Sequence, residues 1–151
     1  MMESKYFEEY EIGSVRESLG RTVTETDIVL HAGQSGDFYP HHMDAEWSKQ
    51  QEFKERIAHG TLVFTIAVGL TAAAVNPEAF TYGYERVRFL RPVHIGDTLY
   101  ARATLKEKRD SPKRPEHGVV VELVEAFNQR RETVFACEHL LMVKRRAAES
   151  V

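Results

Sequence analysis

The sequence predicts an α+β fold in which an antiparallel sheet wraps around one central helix. Three observations lead to this prediction. The first third of the chain has the pattern of short helices separated by loops, a long uncharged apolar segment runs from Thr61 to Val75, and strand patterns fill the chain after Phe80. Helices followed by a run of strands, rather than alternating with them, are typical of α+β proteins.

The helices of the first third are marked by their caps. Thr24 or Thr26 is expected to cap the first helix, and the glycine-flanked stretch from Gly33 to Gly36 is expected to end it. Asp44 is expected to cap a second short helix, from Ala45 to about Phe53. The sequence therefore predicts a loop between the two helices, around the segment that follows Gly36.

The central helix is predicted from the segment Thr61 to Val75, which opens after Gly60 and closes at Asn76-Pro77 without a single charged residue. A helix that is apolar all round is expected to be buried all round. The segment is shorter than the roughly 20 residues that span a bilayer, so no membrane span is predicted.

The second half is predicted to be strands because apolar and polar residues alternate there with a period of two. The alternation is clearest from Thr98 to Lys106, directly after a Gly96-Asp97 turn. A longer polar loop covers Asp110 to Gly118, and further strands are expected from Val119 to Phe127 and from Thr133 to Val143.

The composition bounds the class of protein. The 151 residues fit a single domain over 1–151, and 42% hydrophobic with 28% charged residues is a globular composition. The one cysteine, Cys137, excludes an intrachain disulfide and a cysteine-based zinc cluster, and it is expected to be an inert core thiol. The acidic N-terminus lacks the basic and apolar regions of a signal peptide, so a soluble cytoplasmic protein is expected.

The charge is divided unevenly along the chain, with a balance of −7 over residues 1–80 and +4 over residues 81–151. The basic second half could bind an anionic ligand, or it could simply carry Lys and Arg on the solvent faces of strands. Dispersed basic residues and a pI near 6.2 do not favour nucleic-acid binding.

The loop after Gly36 carries a candidate catalytic pair. Asp37 and His42 lie five positions apart, with Pro40 stiffening the chain between them, and the two side chains could share one water molecule. The imidazole can accept a proton near neutral pH, and the carboxyl group can deliver one if burial raises its pKa. The alternative is turn chemistry, in which Asp37 only binds backbone amides.

A second candidate feature is the segment Ile57-Ala58-His59-Gly60 directly before the central helix. The first backbone amides of a helix are free to donate, and Gly60 allows close approach, so these residues could bind a thioester or enolate oxygen. The alternative is a plain helix start with His59 as a hydrogen-bonded boundary residue. His41, His42 and Asp44 lack the spacing of a zinc site, and no dinucleotide or phosphate loop occurs, so no metal and no bound cofactor are expected.

These residues resemble the MaoC-like hydratases and dehydratases of the hot-dog fold. The resemblance rests on Asp37-Phe38-Tyr39-Pro40-His41-His42-Met43-Asp44, on His59-Gly60, and on supporting matches at Arg88 to Val93, Gly96-Asp97 and Asn128-Gln129. It covers nearly the whole chain. One departure is Tyr39, where the family usually has asparagine.

The resemblance implies (R)-specific hydration of a trans-2-enoyl-CoA, or the reverse dehydration of a 3-hydroxyacyl-CoA. Asp37 and His42 would hold the catalytic water, and Gly60 with His59 would bind the thioester. Coenzyme A would arrive only as part of the substrate. The chain would form a homodimer or a higher homo-oligomer, and Arg86, Arg88 and Arg91 would contact the CoA phosphates.

Two other functions stay open from the sequence. The same fold supports acyl-CoA thioesterases, although the Asp37/His42 pair fits hydration better, and it supports non-catalytic acyl-thioester-binding subunits. Acyl-chain length is also left open, because several aromatic residues could line a pocket or belong to the core: Trp47, Phe53, Phe64, Phe80 and Tyr82.

Overall fold

The computed structural model of the protein describes residues 3–72 and 76–147. Within these ranges the chain forms four α-helices and six strands, after a short 3₁₀ turn at Phe7–Glu9. The helices are α1 (Glu25–Ser35), α2 (Pro40–Met43), α3 (Ala45–Ser48) and α4 (Gly60–Thr71). The strands are β1 (Val15–Glu17), β2 (Arg21–Thr22), β3 (Ala79–Phe89), β4 (Thr98–Asp110), β5 (His117–Phe127) and β6 (Thr133–Lys144).

The strands form one antiparallel sheet in the order β1-β4-β5-β6-β3, and β2 pairs with β4. Helix α4 packs on one face of this sheet, where its residues Leu62, Val63, Ile66 and Ala67 are buried with sheet residues such as Phe135. The predicted α+β architecture, a sheet wrapped around a central helix, is therefore confirmed.

Cys137 lies in β6 and is buried in this core. Burial raises the pKa of its thiol to about 11, because the thiolate would lose its hydration. A thiol that stays protonated at neutral pH is a poor nucleophile, which agrees with the expectation of an inert core residue.

Helix α4 differs from its prediction in two respects. It ends at Thr71, with Ala72 already outside helical geometry, and the last part of the predicted segment, residues 73–75, lies outside the described residues. The expectation of burial on all sides is wrong for this chain, because Thr61, Thr65 and Gly69 are exposed. The sheet covers only one side of α4 and leaves an uncharged side uncovered. None of the helices in the described ranges has the length and apolarity that crossing a bilayer requires.

The first third follows its predicted caps closely but not everywhere. Thr24 accepts a hydrogen bond from the backbone N–H of Asp27 at the start of α1, and Gly36 ends that helix with a φ of 78°. Helix α3 stops at Ser48 instead of about Phe53, because the chain turns there and reaches a positive φ of 64° at Lys54. Strands β1 and β2 are short and exposed, so they lack the alternation that would have predicted them.

Candidate active site

The loop between α1 and α2 fixes Asp37 by local hydrogen bonds. The backbone N–H of Asp37 donates to Ser35 Oγ (3.2 Å), and Asp37 Oδ1 accepts from the backbone N–H of Tyr39 (3.2 Å). Pro40 then begins α2 at the first helical position, which its fixed φ favours. Because Tyr39 contributes its backbone amide here, this turn does not depend on an asparagine at that position.

The exposure of Asp37 differs from what its proposed acid role requires. Asp37 is an exposed residue in the single chain. The acid role predicted from the sequence requires that burial keep a proton on this carboxyl group, and the single chain does not bury it. A bound substrate or a second protein surface would have to cover Asp37.

The imidazole of His42 is held in one tautomer by a backbone carbonyl. Its Nδ1 lies 2.8 Å from Ile57 O, and a carbonyl oxygen only accepts, so Nδ1 carries the hydrogen and Nε2 keeps its lone pair. Burial lowers the pKa of His42, so the ring is neutral at neutral pH. A neutral imidazole with a free Nε2 is suited to act as a general base.

His59 connects the loop to the start of α4. Its side chain is almost wholly buried, its Nε2–H donates to Asp37 O (2.9 Å), and its ring stacks on His42 with centroids 3.8 Å apart. One ligand-type atom from each of Asp37, His42 and His59 lies within 4.8 Å of the others. The structure thus brings together three of the residues that the sequence singled out.

This cluster is also where a metal ion would find ligands, since two imidazoles and a carboxylate are a common donor set. His59 already uses its Nε2 on a backbone carbonyl. The expectation that the protein needs no metal and no bound cofactor stays a prediction.

A cavity of about 340 Å³ opens beside His42. Its lining is mainly apolar and includes Gly60 at the first position of α4. A Cβ atom at Gly60 would lie only 2.9 Å from the ring of Phe89, so the cavity wall leaves no room for a side chain at this position. The first N–H groups of a helix have no intrahelical partner, so the Gly60 amide can donate to a ligand oxygen in this cavity.

The three arginines expected at the CoA phosphates lie in different surroundings. Arg91 lines the cavity. Arg88 is exposed and donates to Val87 O (2.8 Å), and Arg86 pairs with Glu138 (3.2 Å) on β6. Neither Arg86 nor Arg88 lines the cavity, so Arg91 is the best placed of the three.

Two residues near the site were given no functional role from the sequence, although Ile57 belongs to the segment singled out before α4. Ile57 supplies the carbonyl that orients His42, and His31 on α1 lies 4.8 Å from His59, with its Nε2 at 2.8 Å from Thr61 Oγ1. A backbone carbonyl leaves no signal in side-chain patterns. His31 was detectable only as a polar residue between the apolar Leu30 and Ala32 of α1.

A second cavity of about 400 Å³ lies at the other end of α4. Its wall holds the buried Glu122, which binds Arg16 through both carboxylate oxygens, with His139 Nδ1 at 3.6 Å. Arg16 also donates to Thr71 O (3.2 Å) at the last turn of α4. Because Arg16 on β1 binds both Glu122 on β5 and the carbonyl of Thr71, it fastens the end of α4 to β1 and β5.

Hydrogen bonds join the supporting motif segments, which lie far apart in the sequence. Gln129 Nε2 donates to Asp97 Oδ1 (2.7 Å), and Asp97 Oδ2 accepts from the backbone N–H of His94 (2.9 Å). In the same region Ala58 N donates to Val93 O (2.7 Å). The Gln129 bond ties the β5–β6 connection to the β3–β4 connection, and the Ala58 bond ties the β3–β4 connection to the residues that precede α4.

Fold and site together define a hot-dog protein with a histidine and an aspartate beside the N-terminus of its central helix. The sequence profile of the family described as "MaoC like domain" matches residues 8–126. The chain belongs to this MaoC-like family.

Individual relatives agree with this assignment. Protein MaoC of Klebsiella aerogenes is 43% identical over 105 residues, which are 69% of this chain but only 31% of that protein, so the chain spans about a third of its length. An (R)-specific enoyl-CoA hydratase of Rhodospirillum rubrum is 35% identical over 66% of this chain and 69% of its own. The solved structure of a monoamine oxidase regulatory protein from Archaeoglobus has a TM-score of 0.90 and 39% identity, covering 95% of this chain and 97% of that one.

Proposed function

We propose that the protein catalyses (R)-specific hydration of a trans-2-enoyl-CoA thioester, or the reverse dehydration of a 3-hydroxyacyl-CoA. The observation that carries the proposal is that His42, with its free Nε2, and Gly60, with its free amide, line the same apolar cavity next to Asp37. The similarity to the R. rubrum hydratase supports the same reaction.

In the proposed reaction a water molecule lies between Asp37 and His42. His42 Nε2 takes one proton as the water oxygen adds to the β-carbon, and the protonated Asp37 gives its proton to the α-carbon. The Gly60 amide stabilises the charge that develops on the thioester oxygen. Transfer of the proton from His42 to Asp37 then restores the starting protonation state of both groups. Since both act from one face, addition is syn.

We also infer that the protein works as a homodimer. Among the described residues, β3 pairs only with β6, and its other edge carries exposed apolar side chains such as Phe80 and Tyr82. The uncovered side of α4 is uncharged, and Asp37 lacks cover in the single chain. A second copy on this surface would cover all three features, and a higher oligomer could be built from such dimers.

The direct test mixes the protein with crotonyl-CoA and follows enoyl-thioester absorbance and free thiol separately. The proposal expects absorbance to fall without thiol release, and an (R)-3-hydroxy product on chiral analysis. Release of thiol would identify a thioesterase. No change with enoyl-CoAs of several chain lengths would favour a non-catalytic acyl-thioester-binding subunit.

A further inference from the structure

The ring of Phe64 lies between the two cavities that flank α4. It stacks on Phe135 with centroids 5.4 Å apart at 23°, and it meets Tyr84 edge-on at 4.9 Å. Phe135 in turn lies 5.9 Å from Phe89, which lines the cavity beside His42, whereas Tyr84 lines the second cavity. A row of aromatic rings therefore runs from one cavity to the other, with Phe64 in its middle.

The first cavity reaches this row at Phe89, which lines the cavity and whose ring lies next to Phe135. Val63 on α4 and Val134 on β6 also line this cavity, and both are nearly fully buried. Phe64 and Phe135, whose rings stack on each other, follow these valines along the same two elements. An acyl chain that enters past His42 would meet this row of aromatic rings.

Beyond this row lies the second cavity, whose lining includes Tyr84 next to Phe64 together with Val68 and Leu141. Of its acidic and basic lining residues, Glu122 and Arg16 are bound to each other, and Glu3 and Lys5 belong to the N-terminal segment. A hydrocarbon tail could therefore extend into the second cavity if the row of rings were open. Of the two stacked rings, Phe135 is fully buried in the core, whereas Phe64 is only partly buried and packs against the core from its edge.

We infer that Phe64 limits the depth of the acyl-binding cavity and makes the protein selective for short-chain enoyl thioesters. The inference rests on the proposed function and adds the substrate class to it. Truncation of Phe64 removes the ring that separates the cavities and should join them, because a large-to-small change leaves space that the surrounding residues fill only partly.

The test compares kcat/KM for crotonyl-CoA with kcat/KM for trans-2-decenoyl-CoA. Wild type should favour crotonyl-CoA. Phe64→Ala should raise the decenoyl-to-crotonyl ratio by at least ~10-fold, since a few methylene groups in an apolar pocket carry discrimination of this order. Phe64→Leu, which keeps much of the side-chain volume, should give a smaller rise and serves as the second variant if Phe64→Ala does not fold.

Tyr10→Ala is the matched control, because Tyr10 lines the second cavity but stands outside the row between the two. Its ratio should equal that of wild type. An unchanged ratio in folded Phe64→Ala and Phe64→Leu, or a wild type that hydrates decenoyl-CoA as well as crotonyl-CoA, would overturn the inference. Failure of the proposed function has a different signature, since then no variant would hydrate either substrate.

Discussion

His42 donates its Nδ1–H to the carbonyl oxygen of Ile57 across 2.8 Å. This one bond decides which nitrogen of the ring can act on a substrate. Because a backbone carbonyl cannot donate, the neutral ring must present an unprotonated Nε2, and burial keeps the ring neutral by lowering its pKa. Ile57 belongs to the segment that leads into α4, so the start of the central helix and the orientation of the base are set together.

His42→Ala should reduce kcat for crotonyl-CoA hydration by at least about 10²-fold, the usual contribution of a general base. The measurement is a steady-state assay with circular dichroism to verify folding. His117→Gln is the control, because His117 pairs with the exposed Glu116 at the start of β5 and does not line the cavity beside His42. Activity of folded His42→Ala close to wild type would exclude His42 as the base.

Asp37→Asn should also lower kcat by at least about 10²-fold while leaving the fold intact. Asparagine keeps the oxygen that accepts from the Tyr39 amide, so the turn survives, but it has no acidic proton to give the α-carbon. The assay is again crotonyl-CoA hydration, with the melting temperature measured in parallel.

Asp44→Asn is the matched control for this change. Asp44 caps α3 by accepting from Trp47 N (2.8 Å), and asparagine caps helices about equally well. This variant should retain wild-type activity and stability. Equal activity of the Asp37 and Asp44 variants would assign Asp37 the structural role of a turn residue.

Sequence patterns predicted the structure correctly where it depends on residues that are close together along the chain. The cap at Thr24, the end of α1 at Gly36 and the turn at Asp37 depend on bonds that span only a few positions. The strands β4 to β6 were predicted because alternation is a local property, and the segment from Asp37 to Asp44 carried the resemblance to a family.

Contacts between distant positions could not be predicted in this way. The bonds from His42 to Ile57, from His59 to Asp37 O and from Arg16 to Glu122 span 15, 22 and 106 positions. Two of them end on a backbone carbonyl, which every residue has. The exposure of Asp37 and of one side of α4 likewise depends on how the sheet and helices pack together. The side-chain pattern alone does not determine this packing.

Acid should destabilise the protein through Glu122. Burial acts to raise the pKa of this carboxyl, but the hydrogen bonds and charge of Arg16, with a further contribution from His139, outweigh burial and lower the pKa to about 2, from 4.5. A depressed folded-state pKa gives stability that is present above pH 4.5 and is lost as the pH falls from 4.5 towards 2. Urea unfolding at a series of pH values should show this loss, of about 3 kcal/mol in order of magnitude.

Glu122→Gln tests the origin of that loss. It should lower the free energy of unfolding at pH 7 by about 3 kcal/mol, because it leaves Arg16 without its anionic partner, and it should flatten the pH dependence between 4.5 and 2. Glu107→Gln is the control, since Glu107 pairs with Arg109 at the surface, where ion pairs contribute little. An equally steep acid loss in Glu122→Gln would place the sensitivity in other groups.

Gly60→Ala should damage catalysis while leaving the fold largely intact. The added Cβ would lie 2.9 Å from the ring of Phe89, so this ring, which lines the cavity that the thioester is proposed to enter, must move. We expect kcat/KM for crotonyl-CoA to fall by at least ~10-fold, because small displacements at a reacting site are costly. Gly33→Ala on α1, where nothing lies within 4 Å of the new Cβ, should keep full activity and gain roughly 0.5–1 kcal/mol of stability. If the two variants behave alike in the assay, close packing at Gly60 has no part in binding the substrate.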